Sequence, residues 1–203
     1  MERNIIVAGV GGQGSILASH IIAEAAIRSK EATGEELNVR VGETFGAAQR
    51  GGAVASHVRI GDIHGPLVRK GRADLVVALE PLEGLRIGLP YLARDGVAIV
   101  NTITEAPVDA KVGAVEYPAL DAIEGALKQM CKKVVMLDAR SLALEAGSAK
   151  AVNVVMLGAA FATGTLPYSE EIMLGAIRAQ VPAKAVELNL KAFALGKEAF
   201  LKS

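Results

Sequence analysis

Two runs in this sequence combine residue types and spacings that suit chemistry. The first, Gly9-Val10-Gly11-Gly12-Gln13-Gly14, follows a continuous β-branched segment at 4–10 and precedes a helix read over residues 15–27. A glycine turn between strand and helix aims backbone N–H groups and the positive end of the helix dipole at one point, and the missing Cβ atoms let an anion come close. The run fits G-x-G-x-x-G. Two readings stand: contact with a phosphate or cofactor, or a tight turn that needs glycine for its own geometry. A dinucleotide would also need an acid just after the second strand to hold a ribose, and Glu43 comes late for that role.

The second run is Glu43-Thr44-Phe45-Gly46-Ala47-Ala48-Gln49-Arg50-Gly51-Gly52. It sets an acid, a hydroxyl, an amide and a guanidinium among glycines that permit close backbone approach. Arg50, followed by Gly51 and Gly52, can present its planar fork to a carboxylate or phosphate; the alternative is an exposed loop arginine paired with Glu43. A third polar residue, Asn153, stands near the start of an apolar helix, where its amide suits hydrogen bonding to an adjacent loop.

The remaining polar residues are read as structural. His20 shares one helical face with Ile16, Ala23 and Ile27 and is assigned to the core or an interface; His57 is placed on a hairpin face and His64 in a solvated turn. The single cysteine, Cys131, is read as a small buried hydrophobe, so the chain has no disulfide and no thiolate set for zinc or an iron–sulfur cluster. Lys plus Arg and Asp plus Glu both number 22, which leaves no basic excess for nucleic acid or an anionic membrane. Aromatic residues make up only 3%, with no Trp, so base-stacking platforms are scarce as well. The uncharged stretch 151–169 is interrupted by Gly158, Gly164 and Pro167 and reads as a buried helix and loop rather than a membrane span. The first residues do not resemble a signal peptide, and the protein is read as cytoplasmic.

The elements needed to position these residues alternate. Strands are expected at 4–10, 38–41, 53–60, 74–79, 96–101, 112–117 and 134–137, with 42–52 as a long loop and 53–60 turning at Gly61-Asp62 into a hairpin with 67–70. Helices are expected from Pro81, over 119–131, and from an Asp138 N-cap to Gly147. The last third is read as helices only: 151–162, 169–180 capped by Ser169, and 183–201 after Pro182. The fold class is therefore α/β, a three-layer Rossmann-like, mostly parallel sheet with an inserted hairpin and a helical C-terminal third, in a single domain over 1–203.

Taken together, the glycine run, the Glu43 to Gly52 run and Asn153-Val154-Val155-Met156-Leu157-Gly158 resemble, in order and spacing, the gamma-type domain of 2-oxoacid:ferredoxin oxidoreductases over about residues 1–190. Within that family the likeness points to the small-subunit branch of the indolepyruvate enzymes. The resemblance implies a CoA-dependent oxidative decarboxylation of an arylpyruvate, with thiamine diphosphate, Mg and 4Fe-4S clusters held by a large alpha subunit and ferredoxin as electron acceptor. It implies no cofactor bound by this chain alone, since the sequence has neither a G-D-G thiamine motif nor a cysteine set. This chain alone is then expected to be inactive. The resemblance makes Gly9, Gly11, Gly12, Gln13, Gly14 and Arg50 candidates for contacting CoA phosphates or docking beside the thiamine site, with Glu43, Thr44, Gln49, Gly51 and Gly52 shaping the loop and Asn153 supporting it. Rival readings are a gamma subunit of a pyruvate, 2-oxoglutarate or branched-chain enzyme, a stand-alone nucleotide-binding Rossmann protein, and a regulatory module without a reaction.

Overall fold

The structure, a computed structural model, describes residues 2–34, 38–46, 52–105 and 116–203, without the side chains of 31–33. The strands are β1 (Arg3–Val10), β2 (Asn38–Phe45), β3 (Ala53–Gly61), β4 (Ala73–Ala78), β5 (Leu92–Asn101) and β6 (Lys133–Leu137). They form one sheet in the order β2-β3-β1-β4-β5-β6. The β1–β4, β4–β5 and β5–β6 pairs are parallel, whereas β3 runs antiparallel to both β1 and β2.

The continuous apolar character of the central strands follows from burial on both faces. Ile5 and Val7 of β1 join Leu75, Val77 and Ile99 in one core, and Ile6 joins Val76, Ala78, Ala98 and Val100 in the other. The second core is covered by α2 (Pro81–Tyr91) and α3 (Leu120–Lys128). The first is covered by α1 (Ser15–Thr33), α5 (Val152–Ala162) and α7 (Val186–Leu201), with α4 (Ala139–Ala146) beside α5 and α7, and α6 (Glu170–Gln180) laid on α1. Because α1 is held between the sheet and α6, its apolar residues run nearly all the way round the helix. In α5, residues Asn153 to Ala160 are all buried, so the apolar stretch is a core helix; among the described residues no helix is long and apolar enough to cross a membrane.

Three expectations are corrected. The second strand does not stop at Val41 but runs on to Phe45, so Glu43 and Thr44 belong to a strand and the loop after it is shorter than 42–52. The hairpin joins β2 to β3, closed by Gly46 N–H donating to Ala53 O at 2.8 Å. Residues 67–70 form no strand, because both edges of β3 are already taken, by β1 and by β2. They cross instead beneath the sheet, where Val68 N–H donates to His57 Nδ1 at 3.3 Å. The expected strand at 112–117 falls mostly outside the described residues, and Glu116 and Tyr117 have no regular structure.

The caps read from the sequence form. Asp138 accepts from Ser141 N–H at 3.0 Å and Ser169 from Ile172 N–H at 3.4 Å, each satisfying a first-turn donor. The final helix starts later than 183, since Ala183–Ala185 is a separate 3-10 turn.

Candidate functional site

All four parallel strands end at the same edge of the sheet, where ligands of open α/β sheets gather. There β1 passes into the glycine turn. Gly12 and Gly14 have φ of 104° and 85°, a left-handed backbone that glycine adopts without steric cost. Gln13 locks the turn from inside: its N–H donates to Val10 O at 3.1 Å, and its Oε1 accepts from Val10 N–H at 2.8 Å. Gly9 makes room for that side chain, since a β-carbon there would stand 2.7 Å from Gln13 Oε1.

The three runs singled out in the sequence meet at this turn. Gly11 N–H donates to Gly52 O at 2.9 Å, which fastens the start of β3 to the turn. From the other side Asn153, 4% exposed, donates through Nδ2 to Gly14 O at 3.4 Å while its Oδ1 accepts from Val154 N–H at 3.0 Å. Residues 139 positions apart thus share one hydrogen bond. Gly14 caps α1 without a side chain, and the first turn of α1 contains no acid, so none of its own carboxylates takes up the first-turn N–H groups. A shallow depression of about 260 Å³, lined by Val10, Gly11, Gly12, Gly14, Ser15, Ile16 and Val54, opens at that point.

Glu43 and Thr44 point away from each other, as neighbours on a strand must. Glu43 Oε1 lies 3.6 Å from His20 Nε2, one helical turn along α1 from Ile16. Thr44 Oγ1 donates to Ala55 O at 3.3 Å on the other side of the sheet. His20 is exposed rather than in the core, and Phe45 is 62% exposed at the rim. Gln49, Arg50 and Gly51 lie outside the described residues. His57 is no hairpin-surface residue. It is 1% exposed beneath Tyr91, whose ring meets it edge-on at 5.4 Å, and burial holds its imidazole pKa below the ordinary value. Cys131 is buried, and burial pushes its thiol pKa up.

The sequence reading missed a buried polar cluster next to the turn. Glu80, two residues after β4, caps α2, accepting from Glu83 N–H at 2.9 Å with Oε2, while Oε1 accepts from Glu105 N–H at 3.3 Å and from the Tyr117 hydroxyl. Asn101, at the end of β5, donates to Leu79 O at 3.0 Å and accepts from Ala139 N–H at 3.2 Å, tying β4, β5 and α4 together. An acid directly before Pro81 was a capping signal; its burial was not visible without the fold.

Two possibilities can be weighed on this geometry. A dinucleotide fold sets the strand after the first helix beside the first strand, so that its terminal acid reaches the ribose. Here β3 lies between, which puts the end of β2 about 10 Å from β1. The turn therefore fits an anion at α1 better than a dinucleotide. Among the described residues no group of three or more His, Cys, Asp or Glu could hold a metal ion, and a lone buried cysteine does not fit an iron–sulfur cluster. A larger cleft of about 530 Å³ opens at the opposite end of the strands, where Arg59 bonds Glu2, Asn4 and Gly65 O, and Asp74 accepts from Asn4 N–H.

Comparison with known proteins adds a lineage. The family described as pyruvate ferredoxin/flavodoxin oxidoreductase matches residues 4–199. The chain is 43% identical over 196 residues to indolepyruvate oxidoreductase subunit IorB of Archaeoglobus fulgidus, covering 97% of this chain and 94% of that protein. It is 33% identical over 201 residues to the pyruvate/ketoisovalerate oxidoreductases common subunit gamma of Pyrococcus abyssi, covering 96% and 94%. The crystal structure of the keto/oxoacid ferredoxin oxidoreductase gamma subunit from Geobacter sulfurreducens matches with a TM-score of 0.69 at 28% identity, covering 99% of both chains.

Proposed function

Because the chain belongs to the pyruvate ferredoxin/flavodoxin oxidoreductase family, we propose that it is the small subunit of a cytoplasmic indolepyruvate:ferredoxin oxidoreductase. Identity of 43% to an indolepyruvate oxidoreductase subunit, against 33% to a shared pyruvate/ketoisovalerate subunit, favours that branch. In this reading residues 1–203 act as one gamma-type domain. The large partner subunit carries thiamine diphosphate, Mg and the 4Fe-4S clusters, which supply decarboxylation and one-electron transfer to ferredoxin.

This chain's own part is to complete and cover the partner's site. The observation that carries the proposal is the meeting of the glycine turn, Gly52 and Asn153 at the open end of α1. The first-turn N–H groups there hold a phosphate of CoA, and Gln13 and Asn153 keep the turn in shape for it. Gln49, Arg50, Gly51 and Gly52 follow from the same hairpin, and Arg50 brings its guanidinium to the phosphate or to a carboxylate of the partner.

The test is coexpression with the large subunit and an assay of CoA-dependent viologen reduction by indolepyruvate, pyruvate, 2-oxoglutarate and 2-oxoisovalerate. Activity should require both chains and favour indolepyruvate; Arg50→Ala should lower it about tenfold or more while the complex stays assembled, as expected for loss of a charge-assisted contact. An unaffected variant removes Arg50 from the site. Preference for another 2-oxoacid moves the chain to a sister enzyme, and activity of this chain alone overturns the division of labour.

A further inference from the structure

Glu80 is a carboxylate at 1% exposure, and among the described residues it has no ion pair. The nearby cation, Arg86, is bound instead to Glu83 at 2.8 Å. A buried charge of this kind persists only where several donors satisfy it. Its donors come from three separate places: Glu83 N–H in the first turn of α2, Glu105 N–H after β5, and the Tyr117 hydroxyl ahead of α3. Tyr117 in turn accepts from Leu82 N–H at 3.2 Å, and burial with the adjacent Glu80 carboxylate pushes the phenol pKa up, so its proton stays in place as donor. An ordinary cap needs only Ser, Thr or Asp, which satisfy the helix end alone. The longer glutamate reaches two further segments.

The connection continues to the glycine turn. Glu105, held by its backbone to Glu80, accepts through Oε2 from Gln13 Nε2 at 3.0 Å. Gln13 Oε1 then takes Val10 N–H. Both ends of the Gln13 amide are thus used within the protein. We propose that Glu80, Tyr117 and Glu105 form a strut acting through Gln13 to set the direction of the Gly12 and Gly14 amides, which makes Gln13 and Glu80 positioning residues for the anion site rather than ligand contacts. The proposal rests on the reading of the glycine turn as the place where a phosphate-bearing cosubstrate is met. It deepens that reading, because it says what holds Gln13 in place and brings in residues that no motif singled out.

The experiment has two independent readouts. The first is amide hydrogen exchange in the full chain alone, comparing wild type with Tyr117→Phe, Glu105→Gln and Gln13→Ala, with Lys128→Met on the exposed side of α3 as control. Val10 N–H should exchange about tenfold faster in Gln13→Ala and several-fold faster in Tyr117→Phe, while core amides of β5 keep the wild-type rate, which separates local loosening from unfolding. Glu105→Gln keeps an acceptor for Gln13 and should fall between wild type and Tyr117→Phe. The second readout is the KM for CoA and kcat of each variant assembled with the large subunit. Tyr117→Phe should raise KM about three- to tenfold with kcat within twofold, whereas a purely structural role would leave KM unchanged in the assembled complex. Faster Val10 exchange with an inactive wild-type complex keeps the strut and rejects the proposed function. Unchanged Val10 exchange in Tyr117→Phe and Gln13→Ala overturns the strut whatever the activity, and faster exchange with unchanged KM overturns its role at the anion site.

Discussion

Gly12 and Gly14 allow a controlled dissection of the turn. Both have positive φ, but a β-carbon on Gly12 would meet nothing within 4 Å, whereas one on Gly14 would stand 2.6 Å from Asn153 Nδ2 and 3.2 Å from its Cγ. Gly12→Ala therefore carries only the left-handed backbone cost of about 1–2 kcal/mol. Gly14→Ala carries the same cost and also displaces a buried amide from Gly14 O, which adds about 1–3 kcal/mol. The expected totals are about 1–2 kcal/mol for Gly12→Ala and about 2–5 kcal/mol for Gly14→Ala. In an Asn153→Ala background the obstacle is gone, and Gly14→Ala should cost no more than Gly12→Ala. Urea unfolding followed by circular dichroism, read as midpoint shifts at constant m, measures all of these. The Gly14/Asn153 cycle should show coupling of about 1–3 kcal/mol and the Gly12/Asn153 cycle less than about 0.5 kcal/mol. Equal costs for the two alanines, or no relief in the double variant, would refute the claim that Asn153 is packed against the turn.

Two further outcomes follow from packing and burial. A β-carbon on Gly158 would fall within the contact radius of Phe193 O, and one on Gly196 within that of Val155 O, so Gly158→Ala should force α5 and α7 apart. The clash, about 2–3 kcal/mol or more, exceeds the roughly 1 kcal/mol of helix propensity gained. Gly125→Ala in α3 meets nothing within 4 Å and should instead raise Tm by about 2–4 °C, so the two substitutions are expected to shift the thermal midpoint in opposite directions. His57 accepts a backbone N–H with its imidazole neutral, and burial lowers its pKa in the folded chain. The unfolded chain therefore binds the proton first: stability is full above about pH 6.5 and falls as the pH drops from there toward the folded pKa. His57→Phe should flatten that part of the stability profile, as measured by urea midpoints from pH 7 to pH 5.

What was legible in the sequence was local. The β-branched run before Gly9, the caps at Asp138 and Ser169, and the apolar helix around Val154 each announced their element through neighbouring residues. The pairing of strands was not local. The alternation at 53–60 marked a strand correctly, but nothing within it says that its partners are β1 and β2 rather than 67–70. The site divided along the same line. Gly12 and Gly14 could be read as turn residues from their type, whereas the link from Gly14 to Asn153 spans 139 positions, and the burial of Glu80 before Pro81 shows only in the fold. A buried carboxylate leaves no trace in composition; it becomes recognisable only when the donors from Glu83, Glu105 and Tyr117 converge on it.

The placement of β3 also accounts for why a nucleotide-fold turn need not bind a nucleotide. In a dinucleotide site the crevice beside β1 is lined by the strand that follows the first helix. Here the chain passes that position, forms β2 one strand further out, and returns antiparallel to fill the gap. Two consequences follow from this one change. Gly52 O takes the Gly11 N–H, which adds a second engaged amide to that of Gln13, held by Val10 O. The end of β2, with Glu43 and exposed Phe45, is carried to the rim of the sheet, where it faces His20 on α1 rather than a ribose. The positive end of α1 has a glycine cap and no acid in its first turn. A turn of this form keeps a helix N-terminus, whose dipole favours an anion, while losing the second-strand acid by which a dinucleotide's ribose is recognised, and Gly52 ahead of β3 is fastened to it.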